Sequence, residues 1–73
     1  MRSNPTALKA LRQRAGHTGR SLAEATEGKV SQQRISDLET AALPVRPPTA
    51  KALAEALDCD MADIVTGLEV AAG

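Results

Sequence analysis

Apolar residues recur along the chain at three- and four-residue intervals in short runs, each closed by a helix breaker. Ser3-Asn4-Pro5 supplies a cap followed by proline in the first turn, and Leu8, Leu11 and Ala15 then share one helical face. Gly16 stops this first helix where a left-handed residue costs least. Thr18 caps a second, short helix that turns Leu22, Ala23 and Thr26 inward and ends at Gly28. Ser31 caps a third, from about Gln32 to Ala41, with Ile35 and Leu38 as its apolar face. Leu43-Pro44-Val45-Arg46-Pro47-Pro48 breaks the pattern, because proline removes a donor and restricts the residue before it. Thr49 is expected to cap a fourth helix carrying Ala50, Leu53, Ala54 and Leu57 on one stripe. Asp60 is expected to cap a fifth, with Met61, Ile64 and Val65 inward and Gly67 closing it. The pattern predicts an all-α bundle of five short helices.

Composition supports helix and narrows the chemistry. Alanine, the best helix former, fills 14 of the 73 positions. The length predicts one small domain, with a core over about residues 5–67 and a short tail over 68–73. At this size the core is thin and leaves no room for a deep cleft. The absence of Phe, Trp and Tyr argues against single-stranded nucleic-acid binding on stacking platforms. A single cysteine permits neither an internal disulfide nor a cysteine-based zinc site. No run approaches the ~18 apolar residues of a membrane span, and no signal-like apolar block opens the chain, so a cytoplasmic location is expected.

The zero net charge conceals a division. Residues 1–36 carry seven cations against two acids, a balance of +5, and residues 37–73 carry the mirror image, −5. Such a chain can turn one face to a polyanion and the other away. Helices two and three, short and joined by a turn containing Gly28, form the helix-turn-helix pattern, whose second helix enters the major groove. With Ile35 and Leu38 inward, Gln33 and Asp37 lie four apart on the opposite face, with Ser36 and Thr40 beside them. Gln32 stands at the helix start and Arg34 on its flank. A glutamine amide both gives and accepts hydrogen bonds, which suits the major-groove edge of adenine. Glutamines are also ordinary residues of a solvated helix face.

From Leu8 to about Gly67 the chain resembles the Cro/repressor-type (XRE) helix-turn-helix family of phages and bacteria. The resemblance rests on Leu22-Ala23 in helix two, Val30-Ser31 before helix three, Ile35, Leu38 and Glu39 within it, and Ala54-Glu55-Ala56-Leu57-Asp58-Cys59-Asp60 followed by Ile64. Ser31-Gln32-Gln33 is similar to the start of the recognition helix in one lambdoid phage repressor. The resemblance implies a lambda-repressor-like fold in which Gln32, Gln33, Ser36 and Asp37 face bases. It places phosphate contacts at the start of helix two, here Thr18, Gly19 and Arg20, and in the loop after helix three, here Thr40 and Arg46. Arg34 would also reach the backbone from its flank. An acid at position 37 would accept from a cytosine amino group or repel wrong sites. The family also implies a buried ion pair of Arg12 with Glu39, tying helix one to helix three. Two departures stand out. Leu22 to Ile35 spans two residues more than the family's commonest spacing, enlarging the turn Glu27-Gly28-Lys29-Val30, and Glu39-Thr40-Ala41 runs on without the glycine often found there.

Other candidates have plainer readings. Cys59 is expected as buried filler and His17 as a solvated loop residue. Asp58, Asp60 and Glu69 fall at positions one, three and twelve of a calcium loop, but Asp63 stands where such a loop needs glycine and Ala62 where it needs an oxygen ligand, so no metal is expected. With no nucleophile–base pair or phosphate-cradling glycine loop, neither an enzyme nor a cofactor is expected. The expectation is a sequence-specific regulator of double-stranded DNA, a repressor of phage, plasmid or bacterial type. It would act as a homodimer through helix five and the tail residues Leu68 and Val70, on half-sites ~34 Å apart. The alternatives are a protein-interaction module, such as an antitoxin or antirepressor, and an architectural or excision factor that bends DNA.

Overall fold

The computed structural model describes residues 1–67. Its order is β1 (Arg2–Ser3), α1 (Pro5–Arg14), α2 (Gly19–Ala25), α3 (Gln32–Thr40), α4 (Pro47–Leu57), a 3-10 turn (Met61–Asp63) and β2 (Val65–Thr66). Among the described residues the architecture is four helices with a two-stranded ribbon, not five helices. The tail, with Leu68 and Val70, lies outside the described residues.

Local capping chemistry explains where the helices begin. The Asn4 side chain accepts from the Ala7 N–H at 3.2 Å, and Pro5 takes the first turn, where its missing N–H leaves nothing unpaired. Thr18 and Ser21 cap α2 reciprocally, side chain to backbone in both directions, at 3.0 and 2.9 Å. The Ser31 hydroxyl accepts from the Arg34 N–H at 3.1 Å. For α4 the expected Thr49 cap is replaced by Arg46, with Pro47 and Pro48 as the first two helical residues. A proline pair that reads as a break is here a helix start, since neither position has a use for an N–H.

The core is aliphatic. Leu8, Leu22, Val30, Ile35, Leu38, Leu53 and Ile64 are each at most 2% exposed, and Ala50, Ala52 and Ala54 let α4 approach closely. Ala15, expected inward, is exposed just beyond α1, because that helix has already ended at Arg14. Thr26 is buried and holds the enlarged turn together. Its Oγ1 donates to the Ala23 carbonyl at 2.6 Å and accepts from the Val30 N–H at 3.2 Å. Between these anchors Glu27 and Gly28 are both left-handed, with φ of 59° and 81°. The turn thus closes on a left-handed pair, with Leu22 and Ile35 both in the core.

The expected fifth helix stops after one 3-10 turn. The Asp63 carboxylate accepts from the Asp60 N–H at 3.1 Å, and the chain then extends. The β-branched run Ile64-Val65-Thr66 favours that extension. β2 pairs antiparallel with β1, Arg2 opposite Thr66 and Ser3 opposite Val65, so Val65 is buried as a strand residue rather than a helical one.

Candidate nucleic-acid interface

α3 buries Ile35 and Leu38 and leaves Gln32, Gln33, Ser36 and Thr40 exposed, with Asp37 half-buried between them. On this face the Gln33 Nε2 donates to Asp37 Oδ1 at 3.0 Å, the contact that four-residue spacing on a helix permits. The Thr40 hydroxyl donates back to the Ser36 carbonyl at 2.8 Å. A Cβ placed on Gly19 would sit 3.7 Å from Gln32 Cγ, so the starts of α2 and α3 touch. Thr18, Gly19 and Arg20 therefore adjoin the glutamine end of α3. Arg20 pairs loosely with Glu24 at 3.8 Å in open solvent, a contact worth little and readily given up.

Two arginines fix the helix from behind. Arg12 meets Glu39 in a two-pronged pair, Nε to Oε2 at 2.6 Å and Nη2 to Oε1 at 2.9 Å, with the side chains 15% and 11% exposed. Its third prong, Nη1, donates to the His17 carbonyl at 2.9 Å, so one guanidinium ties α1, the turn before α2, and α3. The hydrogen bond to Glu39 raises the Arg12 pKa, outweighing the opposing effect of burial. Arg34, expected at a phosphate, donates Nη2 to the Pro44 carbonyl at 2.8 Å and so braces the loop that follows α3. That loop ends at Arg46, exposed at the start of α4.

Sequence reasoning missed the N-terminal segment as part of this assembly. Arg2 Nη1 donates to the Ala42 carbonyl at 3.1 Å. The Ser3 hydroxyl donates to Ala41 at 3.0 Å and accepts from the Leu43 N–H at 3.1 Å, while the Ser3 N–H donates to the Leu43 carbonyl at 2.8 Å. Two strand residues are too few to show a period-two pattern, and Ser3 reads as cap material. His17, read as a solvated loop residue, is half-buried, with Nδ1 2.9 Å from the Ser21 hydroxyl.

The acidic half gathers elsewhere. Glu55, Asp58, Asp60 and Asp63 line an open depression beside the end of α4 together with Ala54 and Cys59. Burial raises the Cys59 thiol pKa, and Asp63, Asp60 and Asp58 add to the effect. Among the described residues no group of three or more His, Cys, Asp or Glu stands where it could hold a metal ion, and no helix is long and apolar enough to cross a membrane.

No curated protein and no solved structure matches the chain significantly. A family described as "Helix-turn-helix domain", related to the Cro/repressor-type DNA-binding domains, matches residues 6–65, which run from α1 into β2 and take in α2, the enlarged turn and α3. The chain belongs to that helix-turn-helix family.

Proposed function

We propose that the chain is a sequence-specific regulator of double-stranded DNA, a repressor that acts in the cytoplasm of a bacterium by occupying an operator. The observation that carries this reading is the outward face of α3, where Gln32, Gln33, Ser36 and Asp37 offer hydrogen-bonding groups on a helix braced by Arg12–Glu39 and Arg34–Pro44. Free donors and acceptors on a rigid helix are what direct reading of base edges requires. Thr18, Gly19 and Arg20 on one side, and Thr40 and Arg46 on the other, would grip phosphates and set the register. Arg34 would spend one of its five N–H groups on Pro44 and could still offer others to a phosphate. One such module reads few base pairs, so the proposal includes a homodimer on a two-fold site with half-sites ~34 Å apart.

The test is selection of bound duplexes from a random pool at about 150 mM salt, where non-specific binding is weak. A two-fold motif is expected. A single unpaired motif would keep the DNA reading and remove the dimer. A second reading, a protein-interaction module of antitoxin or antirepressor kind, is favoured by the acidic depression at Glu55, Asp58, Asp60 and Asp63, which suits a basic partner. Under it Gln33→Ala is silent and Asp63→Asn is not, whereas the DNA reading predicts the reverse and a linear fall of log affinity with log salt. An architectural or excision factor would instead bend its site.

A further inference from the structure

The hydrogen bond between Gln33 and Asp37 has a direction that chemistry fixes. A carboxylate only accepts, so the amide nitrogen of Gln33 must point toward Asp37 and its oxygen away. A free glutamine can turn its amide either way and read either a donor or an acceptor. Here one N–H is already used, and the face presents, from Gln33 to Asp37, an acceptor, an amide donor and a carboxylate. No hydrogen bond among the described residues reaches Asp37 Oδ2. Asp37 carries no ion pair within reach that would mask its charge, again among the described residues.

In the major groove the donors on base edges are the exocyclic amino groups of cytosine and adenine. Guanine O6 and N7 and thymine O4 are acceptors, and a carboxylate placed against them meets like partial charge with no proton between. Resting on the DNA-binding reading above, we infer that Gln33 and Asp37 act as one unit that selects an exocyclic amino group, from cytosine or adenine, at the base facing Asp37, and that excludes guanine and thymine there. Asp37 gives up general affinity for a polyanion in return for that discrimination.

The experiment uses the full chain and the duplex recovered by selection, changed one base at a time, with competition binding at fixed salt. The wild-type protein is expected to lose about tenfold or more in affinity when the base facing Asp37 becomes guanine or thymine. The same loss should follow when only the amino group is deleted, with 2-pyrimidinone in place of cytosine or unsubstituted purine in place of adenine, and the base that responds identifies the source. Asp37→Asn keeps the size of the side chain and should flatten this discrimination while tightening binding to random duplex. Gln33→Ala, which frees the carboxylate, should weaken the discrimination without the gain on random duplex. Circular dichroism confirms that each variant is folded. A folded Asp37→Asn protein with unchanged base preference would overturn the inference and leave DNA reading intact. A folded wild-type protein that enriches no duplex would overturn both.

Discussion

Replacing Arg12 with alanine removes three hydrogen bonds in one step, two to Glu39 at 2.6 and 2.9 Å and one to the His17 carbonyl at 2.9 Å. It leaves the Glu39 carboxylate, whose side chain is 11% exposed, without its partner. Deleting one member of a buried ion pair costs about 3–5 kcal/mol, and the residual exposure of this pair points to the lower end, about 3 kcal/mol. At about 0.05–0.15 kcal/mol per residue, a domain this small holds roughly 4–11 kcal/mol in all. The substitution therefore consumes between about a quarter and three-quarters of the stability. Urea denaturation followed by circular dichroism measures it directly, and DNA binding at a temperature where the variant is folded separates stability from recognition. Replacing both residues with apolar side chains of similar size, Arg12→Met with Glu39→Leu, should recover most of the loss, because no charge is then stranded. An Arg12→Ala protein within about 1 kcal/mol of wild type would refute the buried-pair reasoning. So would a double variant as unstable as the single one. The pH dependence has a definite sign. The folded pKa of Arg12 is raised, so its contribution is present in full below the unfolded-state value and lost only as pH rises through the folded one. Between about pH 5 and 9 the arginine thus contributes no slope.

Thr26→Val keeps the shape of a buried side chain but strands the Val30 N–H, and should cost about 1–3 kcal/mol by denaturant unfolding. Glu27→Gly relieves a left-handed glutamate and should raise the urea midpoint by the equivalent of about 0.5–1 kcal/mol, whereas Gly28→Ala, strained despite open space around it, should lower it by a similar amount. Cys59 should react with iodoacetamide more slowly than a cysteine peptide near pH 8 and match it once denaturant is added. Its raised folded pKa favours the thiol, so the associated stability is present below the ordinary thiol value and fades as pH rises through the folded one.

The starts of α1, α2 and α3 were legible because each is set by residues adjacent in sequence, whereas α2 ends at Ala25, short of the expected Gly28. Asn4, Thr18 and Ser31 cap their own helices, and Gly16 takes up a left-handed φ of 79° just past α1. α4 was misplaced for a local reason too. Pro47-Pro48 is compatible with both a break and a first turn, and the apolar stripe from Ala50 to Leu57 is the same under either. The absent fifth helix was not a local matter, since Val65 is extended by pairing with Ser3, sixty-two residues earlier. The site divides in the same way. The bond between Gln33 and Asp37 follows from four-residue helical spacing, and the outward face of α3 from the inward placement of Ile35 and Leu38. Arg34 reaching Pro44 depends on the path of an irregular loop, which no periodicity encodes. The partnership of Arg12 with Glu39 across twenty-seven residues was implied only by family resemblance.

Met1 to Asn4 form a clasp between two parts of the chain made long after them. The Met1 carbonyl accepts from the Val45 N–H at 3.1 Å, Ser3 is bonded to Ala41 and Leu43, and the Asn4 N–H donates to the Ile64 carbonyl at 2.9 Å. Closing it joins residues about forty and sixty positions apart, a search whose entropic cost rises with loop length, whereas the helices form from neighbours. Loop closure thus predicts that the clasp closes after the helices have formed and opens in the native state as a unit of its own. Its opening releases the backbone at Ala41, Leu43 and Val45 and leaves Arg34 at Pro44 as a remaining hydrogen-bonded brace on the segment that leads to Arg46. On the proposed DNA-binding reading, the placement of Arg46 would follow this N-terminal latch, and hydrogen exchange at Ser3, Leu43 and Val45 should report its opening as a single event, faster than exchange at Leu38 or Leu53.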